Sequence, residues 1–550
     1  MAASSRWSVA AALLVSASWL VIGAAGPKFF DDDPLAREDD PQDASRVVEH
    51  PLSAAWELGE FQFDAPGDPT PNVRARNLNT IDEVPDSNWF TNRMSPRPAM
   101  LPELTALMQH PGPAEGPWVI VSSKSDGVSP GFTIRDAHGA TWFLKFDPLD
   151  HPEMASGAEV VASRLLRVLG YHVPDNHVAY MRADQIVIGP SAMYTPYLAK
   201  PRPMRPGDVE HLLRGAARSA DGTYRVLASR QLPGRPVGGF RFHGTRPDDP
   251  NDVVPHEHRR ELRGLGIFAA WINHVDARGA NTLDTVIDIG THKVVRHHLL
   301  DFGSTFGSAG IKARPFWEGH ARALPSTSEL LRGMATFGFS VPAFRDIPVF
   351  EHPALGRLQA IEATWDPREW KGRAPNPAFV RMRADDAFWA ARRVASFTDE
   401  MLRAAVNEAR FSDRAAADYL TAWLARRRDA IARAYLADVN PIVDPQLSDE
   451  AGITFGNAAV AAGVAGAPRE YVAEWLTFDN TTATTAPLGT TRSTTATLAL
   501  PAEWPRARGA FVQVNLSAID DAHPSWRAPL RTWFRRGDLG WTLVGLERMP

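Results

Sequence analysis

Residues 271–283 read WINHVDARGANTL and residues 299–304 read LLDFGS. In the first stretch His274, Asp276 and Asn281 follow an apolar run; in the second, Asp301 leaves a strand-like apolar run ahead of Phe302 and Gly303. A carboxylate at a strand exit, beside a glycine that lets the chain turn sharply, can present two oxygens to a hard cation such as magnesium. Asn281 adds a neutral oxygen from the loop before that strand. Asp276 is placed to accept a proton from a hydroxyl nucleophile. The two stretches predict two carboxylates and an amide converging from the end of one helix and the end of one hairpin. Each piece alone has a plain structural reading. Asp-Phe-Gly is a common turn, and a histidine such as His274 more often packs a core than reacts.

Working outward, HEHRRELRGLGIFAAWINHV (256–275) predicts a helix whose second half is apolar all round and therefore buried. TLDTVIDIGTHKVVRHHLLDFG (282–303) predicts two strands joined by a glycine-containing turn. Upstream, PWVIVSS, GFTIRD and ATWFLKF are short β-branched and aromatic runs separated by KSDGVSP and DAHG. HPEMASGAEVVASRLLRVLGY then predicts a helix ended by Gly170, and NHVAYMRADQIVIG and TYRVLASRQLPG predict more strands. Residues 380–437 read as helical again. The Thr-rich tail beyond about residue 470 is strand-patterned and suggests a small separate β-sandwich. The acidic run RPDDPNDVVP, with Asp248, Asp249 and Asp252, is expected to cap the helix after it.

At 550 residues the chain exceeds what one hydrophobic core normally serves, so two to four domains are expected. With 59 basic against 64 acidic side chains, no nucleic acid or anionic membrane surface is indicated as partner. Zero cysteines exclude disulfides, thiolate metal sites and cysteine nucleophiles. The opening MAASSRWSVAAALLVSASWLVIGAAG has one cation, Arg6, before an apolar run of residues 9–25 and a small-residue end, the layout of a secretory signal peptide or an uncleaved anchor. Either reading makes the chain exported, to the periplasm or outside the cell. Residues 27–114 are rich in Asp, Pro and Asn and read as a linker or wrapping arm.

His274-x-Asp276-x-x-x-x-Asn281 followed by Asp301-Phe302-Gly303 resembles the catalytic and metal-binding loops of the protein-kinase-like fold. The resemblance implies a strand lysine, supplied by Lys145 in WFLKF. It also implies a helix glutamate to hold that lysine, supplied by Glu159 in GAEVVASRLL. A flexible loop between the first two strands is implied as well, and SSKSDGVSPGF lies there with Ser125, Gly127 and Gly131. Phosphoryl transfer suits such a set, because its catalysis is mostly positioning and neutralising charge on the moving phosphate. The resemblance implies ATP with magnesium, or manganese, as cofactors. Lys145, Glu159, Ser125 and Gly127 would act on the nucleotide, and Asn281 and Asp301 on the metal. Asp276 would be the base, with Arg278 steadying the transferred group. The implied class is α+β and two-lobed: a β-rich lobe over 115–245, a helical lobe over 246–440, and a linker with a small all-β domain over 441–550, which could take a protein or glycan ligand.

The chain departs from the regulated signalling kinases. Val275 replaces the arginine that grips a phosphorylated activation loop, and no Ala-Pro-Glu follows Asp-Phe-Gly. The likeness is closer to the atypical group, the secretory-pathway and spore-coat kinases and those of bacterial toxin–antitoxin systems. A catalytically inactive scaffold and an adenylyltransferase using the same carboxylates stay open beside the kinase. A zinc hydrolase built on His256, His258, His297 and His298 is disfavoured, since HEHRR lacks the i, i+4 histidine pair of a helix-borne zinc site.

Overall fold

The computed structural model describes residues 26–549 apart from 39–40, 96, 109–110, 125–128, 197–198, 327–328, 330, 332–333 and 336–341. The expected amino-terminal segment (1–26, all but Gly26) and the expected loop residues Ser125 and Gly127 lie outside the described residues. No helix among those described is long and apolar enough to cross a membrane.

The first half is built on strands β1 (Trp118–Ser123), β2 (Gly131–Arg135), β3 (Thr141–Phe146), β4 (Asn176–Met181), β5 (Ile186–Tyr194), β6 (Arg202–Pro203) and β7 (Tyr224–Arg230). They form one sheet in the order β4-β7-β3-β2-β1-β5-β6, antiparallel except where β1 meets β5. In β3 the period of two sends Trp142, Leu144 and Phe146 into a core, while Phe143 and Lys145 point to the opposite face. Gly131, expected in a flexible loop, instead begins β2. It sits opposite Lys145, and a Cβ there would lie 2.1 Å from the Leu144 carbonyl, so only glycine permits that approach.

Between β3 and β4 runs helix α3 (Met154–Leu169), buried on nearly every side. Gly170 ends it at φ 121°, a conformation that L residues with a Cβ rarely adopt. A Cβ there would also strike the Phe90 ring. Gly170→Ala is therefore expected to destabilise the chain by about 2 kcal/mol or more, read by urea unfolding.

Residues 246–440 are mainly helical, with two hairpins among the described residues, the second of them Val349–His352 with Gly356–Gln359. After helix α4 (Pro206–Arg214) and the short strand β8 (Arg235–Pro236), helix α5 (Arg260–Ile272) follows a 3-10 turn at His256–His258, and β9 (Thr282–Asp288) pairs with β10 (Lys293–Leu299). Helices Ala384–Ala395, Asp399–Asn407 and Arg414–Tyr435 complete the layer. The charged first half of α5 is buried as well as its apolar second half. Arg260 meets Asp82 at 3.1 Å, Asp385 at 3.0 Å and Asp386 at 3.0 Å, and Arg263 meets Asp386 at 3.0 Å. The expected acidic cap of this helix is not formed. Neither the turn nor α5 has a side-chain cap, because Asp252 is drawn into a buried pair with His256 (2.7 Å) and accepts the Arg246 amide (2.6 Å).

Residues 27–114 form a wrapping arm rather than a linker. Helices α1 (Ala54–Phe63) and α2 (Leu101–Met108) lie in it, and Phe61, Trp89, Phe90 and Leu104 are buried in the main core. The tail carries a five-stranded antiparallel sheet over residues 470–548 and a smaller three-stranded one. It is not separate: Val512, Val514 and Leu516 share one apolar core with the helices. Asn440 donates to the carbonyls of Leu516 (2.8 Å) and Ala528 (2.9 Å), and Trp526 donates to Ala437 (3.0 Å). Alternation along Phe511–Ile519 leaves an apolar face that must be covered, and the strand Ile442–Ser448 of the smaller sheet packs against it.

Candidate active site

Lys145 reaches the cleft because it shares the open face of β3 with Phe143. Its ammonium lies 2.6 Å from Glu159 Oε1 on α3 and 2.9 Å from Asp301 Oδ1. Glu159 is almost fully buried, and its second oxygen accepts the Phe302 amide at 2.9 Å. One glutamate thus ties the strand lysine to the chain just past Asp301. Burial works against the Lys145 charge, but the two carboxylates outweigh it and raise its pKa. Lys145 in turn holds the Asp301 carboxyl down at about 2, so Asp301 is ionised at any physiological pH. Burial pushes the Glu159 carboxyl up, against the pull of Lys145.

The other residues arrive from the end of α5. Asn273 closes that helix in the left-handed region at φ 53°, which asparagine tolerates, and its side chain is clasped by Trp370 (2.9 Å) and the Phe306 carbonyl (3.2 Å). His274 packs edge-on to Phe302 with centroids 5.8 Å apart. Burial lowers its pKa to about 4, so it is neutral, in keeping with a packing role. Asn281 donates to the Asp276 carbonyl at 2.7 Å, which turns its own amide oxygen away from that bond. Strands β9 and β10 pair Thr282 with Leu299, and the Leu300 amide donates to the Asn281 carbonyl at 2.9 Å. That register sets Asn281 and Asp301 beside each other at the mouth of the hairpin. Both line one cleft of about 1120 Å³, together with Lys145, Glu159, Asp276 and Arg278.

Asp276 is gripped from two sides, by Arg278 at 3.0 Å and by Arg373 at 3.0 Å. Arg373 also pairs with Glu318 at 2.8 Å, and Glu318 with the buried Arg314 at 2.8 Å. Arg314 donates to the carbonyls of Ser304, Phe306 and Ser308, so the segment after Asp301-Phe302-Gly303 is pinned from within. Arg373 and Glu318 escaped the sequence reading because nothing in their local pattern marks them.

Glu57 of α1 was missed for the same reason. Its carboxylate accepts the amides of Gly279 at 2.5 Å and Ala280 at 3.1 Å, between Asp276 and Asn281. The arm thereby holds the loop in shape. Glu57→Gln removes the anionic acceptor at constant size, and amide exchange at Gly279 and Ala280 is expected to quicken about tenfold. Unchanged exchange by mass spectrometry would contradict this role.

Among the described residues no group of three or more His, Asp or Glu is arranged to hold a metal ion. The four histidines weighed for zinc have other partners: His256 pairs with Asp252, His258 with Asp68, His297 with Asp284, and His298 with Thr285. The donors at the hairpin mouth, one carboxylate and one amide oxygen, suit a hard ion that completes its shell with water and phosphate.

No protein-family model matches the chain, and no curated protein matches it. Among solved structures the chain has low-identity matches to two kinases. The Helicobacter pylori proinflammatory kinase CtkA is 10% identical, with 55% of this chain and 92% of that one covered and a TM-score of 0.24. The Golgi casein kinase is 10% identical over 74% of this chain and 95% of its own, with a TM-score of 0.30. The same kinase with Mn/ADP bound is 11% identical over 73% and 94%, with a TM-score of 0.31.

Proposed function

We propose that the chain is an exported atypical kinase that transfers the γ-phosphoryl group of ATP to a hydroxyl acceptor. The observation that carries this reading is the Lys145 ammonium held between Glu159 and Asp301 in the cleft that Asp276 and Asn281 also line. An ammonium has three donors, and Glu159 and Asp301 engage two, so a third serves phosphate oxygens. Glu159 holds the Lys145 ammonium in the cleft. Asp301 and Asn281 would hold magnesium or manganese, and they fit it as hard oxygen donors. Such an ion supplies neutralisation of the charge on the transferred group. Asp276, oriented by Arg278 and Arg373, accepts the hydroxyl proton of the acceptor. Export rests on the apolar run of residues 9–25 behind Arg6.

The test uses the full chain with ATP labelled at the γ or the α position, with magnesium or manganese, and a panel of serine peptides and monosaccharides. Transfer of γ-label, to an acceptor or to the chain itself, supports the kinase. Transfer of α-label makes the chain an adenylyltransferase. Nucleotide binding with neither transfer nor ADP formation makes it a scaffold.

A further inference from the structure

A second cavity, of about 450 Å³, shares Arg230, Gln231 and Leu232 with the cleft. Its walls come from distant parts of the chain: Arg93 from the arm, Arg167 from the end of α3, His172 and Asp175 from the loop after it, and Arg296 and His298 from β10. Four guanidiniums line it against one carboxylate, Asp175, and that carboxylate is already ion-paired with Arg167. Arg93 is turned in by a 2.8 Å bond to the Arg167 carbonyl, and Asp86 is the carboxylate that acts on it. Burial lowers the pKa of Arg93 and of Arg296, and at Arg93 the neighbouring Arg167 adds to it.

The polar atoms inside are unmatched as well. Arg296 Nε, His172 Nε2 and His298 Nδ1 are buried without a hydrogen-bond partner among the described residues. His298 is 4% exposed, and its other ring nitrogen is taken by Thr285 at 3.1 Å. Burial drives both rings neutral, His172 to about 3 and His298 to about 2. Unpaired buried nitrogens and crowded like charges both destabilise a fold, and one bound anion relieves both. The planar guanidinium fork matches tetrahedral oxyanions, and the volume is that of a small-ligand pocket.

We infer that this cavity is a binding site for a small, multiply charged phosphate anion, its oxygens taken by Arg93, Arg230, Arg296 and His298. The site adjoins the nucleotide cleft through Arg230, Gln231 and Leu232 and is independent of the reaction proposed there. The probe is pyrophosphate without metal, titrated calorimetrically into the full chain, with orthophosphate and sulfate as arms that separate phosphate preference from general anion binding. The parent and Lys145→Ala are expected to bind pyrophosphate alike. The double variant Arg93→Gln with Arg296→Gln is expected to bind about a hundredfold more weakly, roughly tenfold per charged contact. Without anion that variant should melt no lower than the parent, because it removes repulsion. Should it fail to fold, Arg230→Gln, at an exposed position, decides alone by an expected loss of about tenfold. Parent-like affinity in these variants, binding that vanishes in Lys145→Ala, or no binding to the parent at millimolar pyrophosphate overturns the site.

Discussion

Asp276→Asn is expected to lower γ-phosphoryl transfer by a factor of about 10² to 10⁴, the usual range for loss of a positioned base, while nucleotide affinity changes little. The split follows from the geometry. Asp276 lies in the loop after α5, whereas the ammonium that meets phosphate is anchored by Glu159 and Asp301. Asparagine keeps the size but removes the charge between Arg278 and Arg373, which each approach at 3.0 Å. Arg373 retains Glu318, so the loop should keep its shape. Steady-state label transfer beside nucleotide titration separates the two effects. A loss confined to KM for ATP would move Asp276 from the chemistry to nucleotide binding.

The largest expected effect on stability lies elsewhere, at Arg260. Its guanidinium is buried and meets Asp82, Asp385 and Asp386, so it joins the arm to α5 and to helix Ala384–Ala395. Removing one member of a buried set leaves uncompensated charge, which costs about 3–5 kcal/mol. Arg260→Ala is therefore expected to lower unfolding stability by that amount in urea. Arg260→Lys should fall between, having a point charge without the fork. The pH dependence carries a sign. Burial pushes Asp82 up, but Arg260 and Arg74 more than offset it and hold the carboxyl below its ordinary value. The stability that Asp82 contributes is thus present above the unfolded carboxylate range and lost as pH falls through its depressed value. Without Arg260 that carboxyl is better tolerated protonated, so the gap between parent and Arg260→Ala should narrow in acid. A gap that widens in acid contradicts the assignment.

The parts of this fold that were legible in the sequence are those whose causes are local. TWFLKF alternates, so its strand and the face of Lys145 can be read directly; GAEVVASRLLRVLG has the helical period and a glycine stop. The hairpin that carries Asp301 shows in two β-branched runs around a Gly-containing turn. What stayed hidden depends on contacts between distant segments. Glu57 looks like the wet face of a short helix until Gly279 and Ala280 are seen against it. Arg373 and Glu318 sit in segments with no period at all. Asp252 has the composition of a cap, yet a buried histidine competes for it and wins. The tail reads as independent because alternation reveals an apolar face but not what covers it.

The central claim is that Lys145, Glu159, Asp276, Asn281 and Asp301 form one cleft where a divalent ion and a triphosphate meet. Calorimetric titration of ATP, with and without magnesium or manganese, tests it on the parent, Lys145→Ala and Asp301→Ala. The account predicts metal-dependent binding to the parent and affinities at least about tenfold weaker in both variants, each having lost a charge-assisted contact. Variants that bind the nucleotide as tightly as the parent would contradict it.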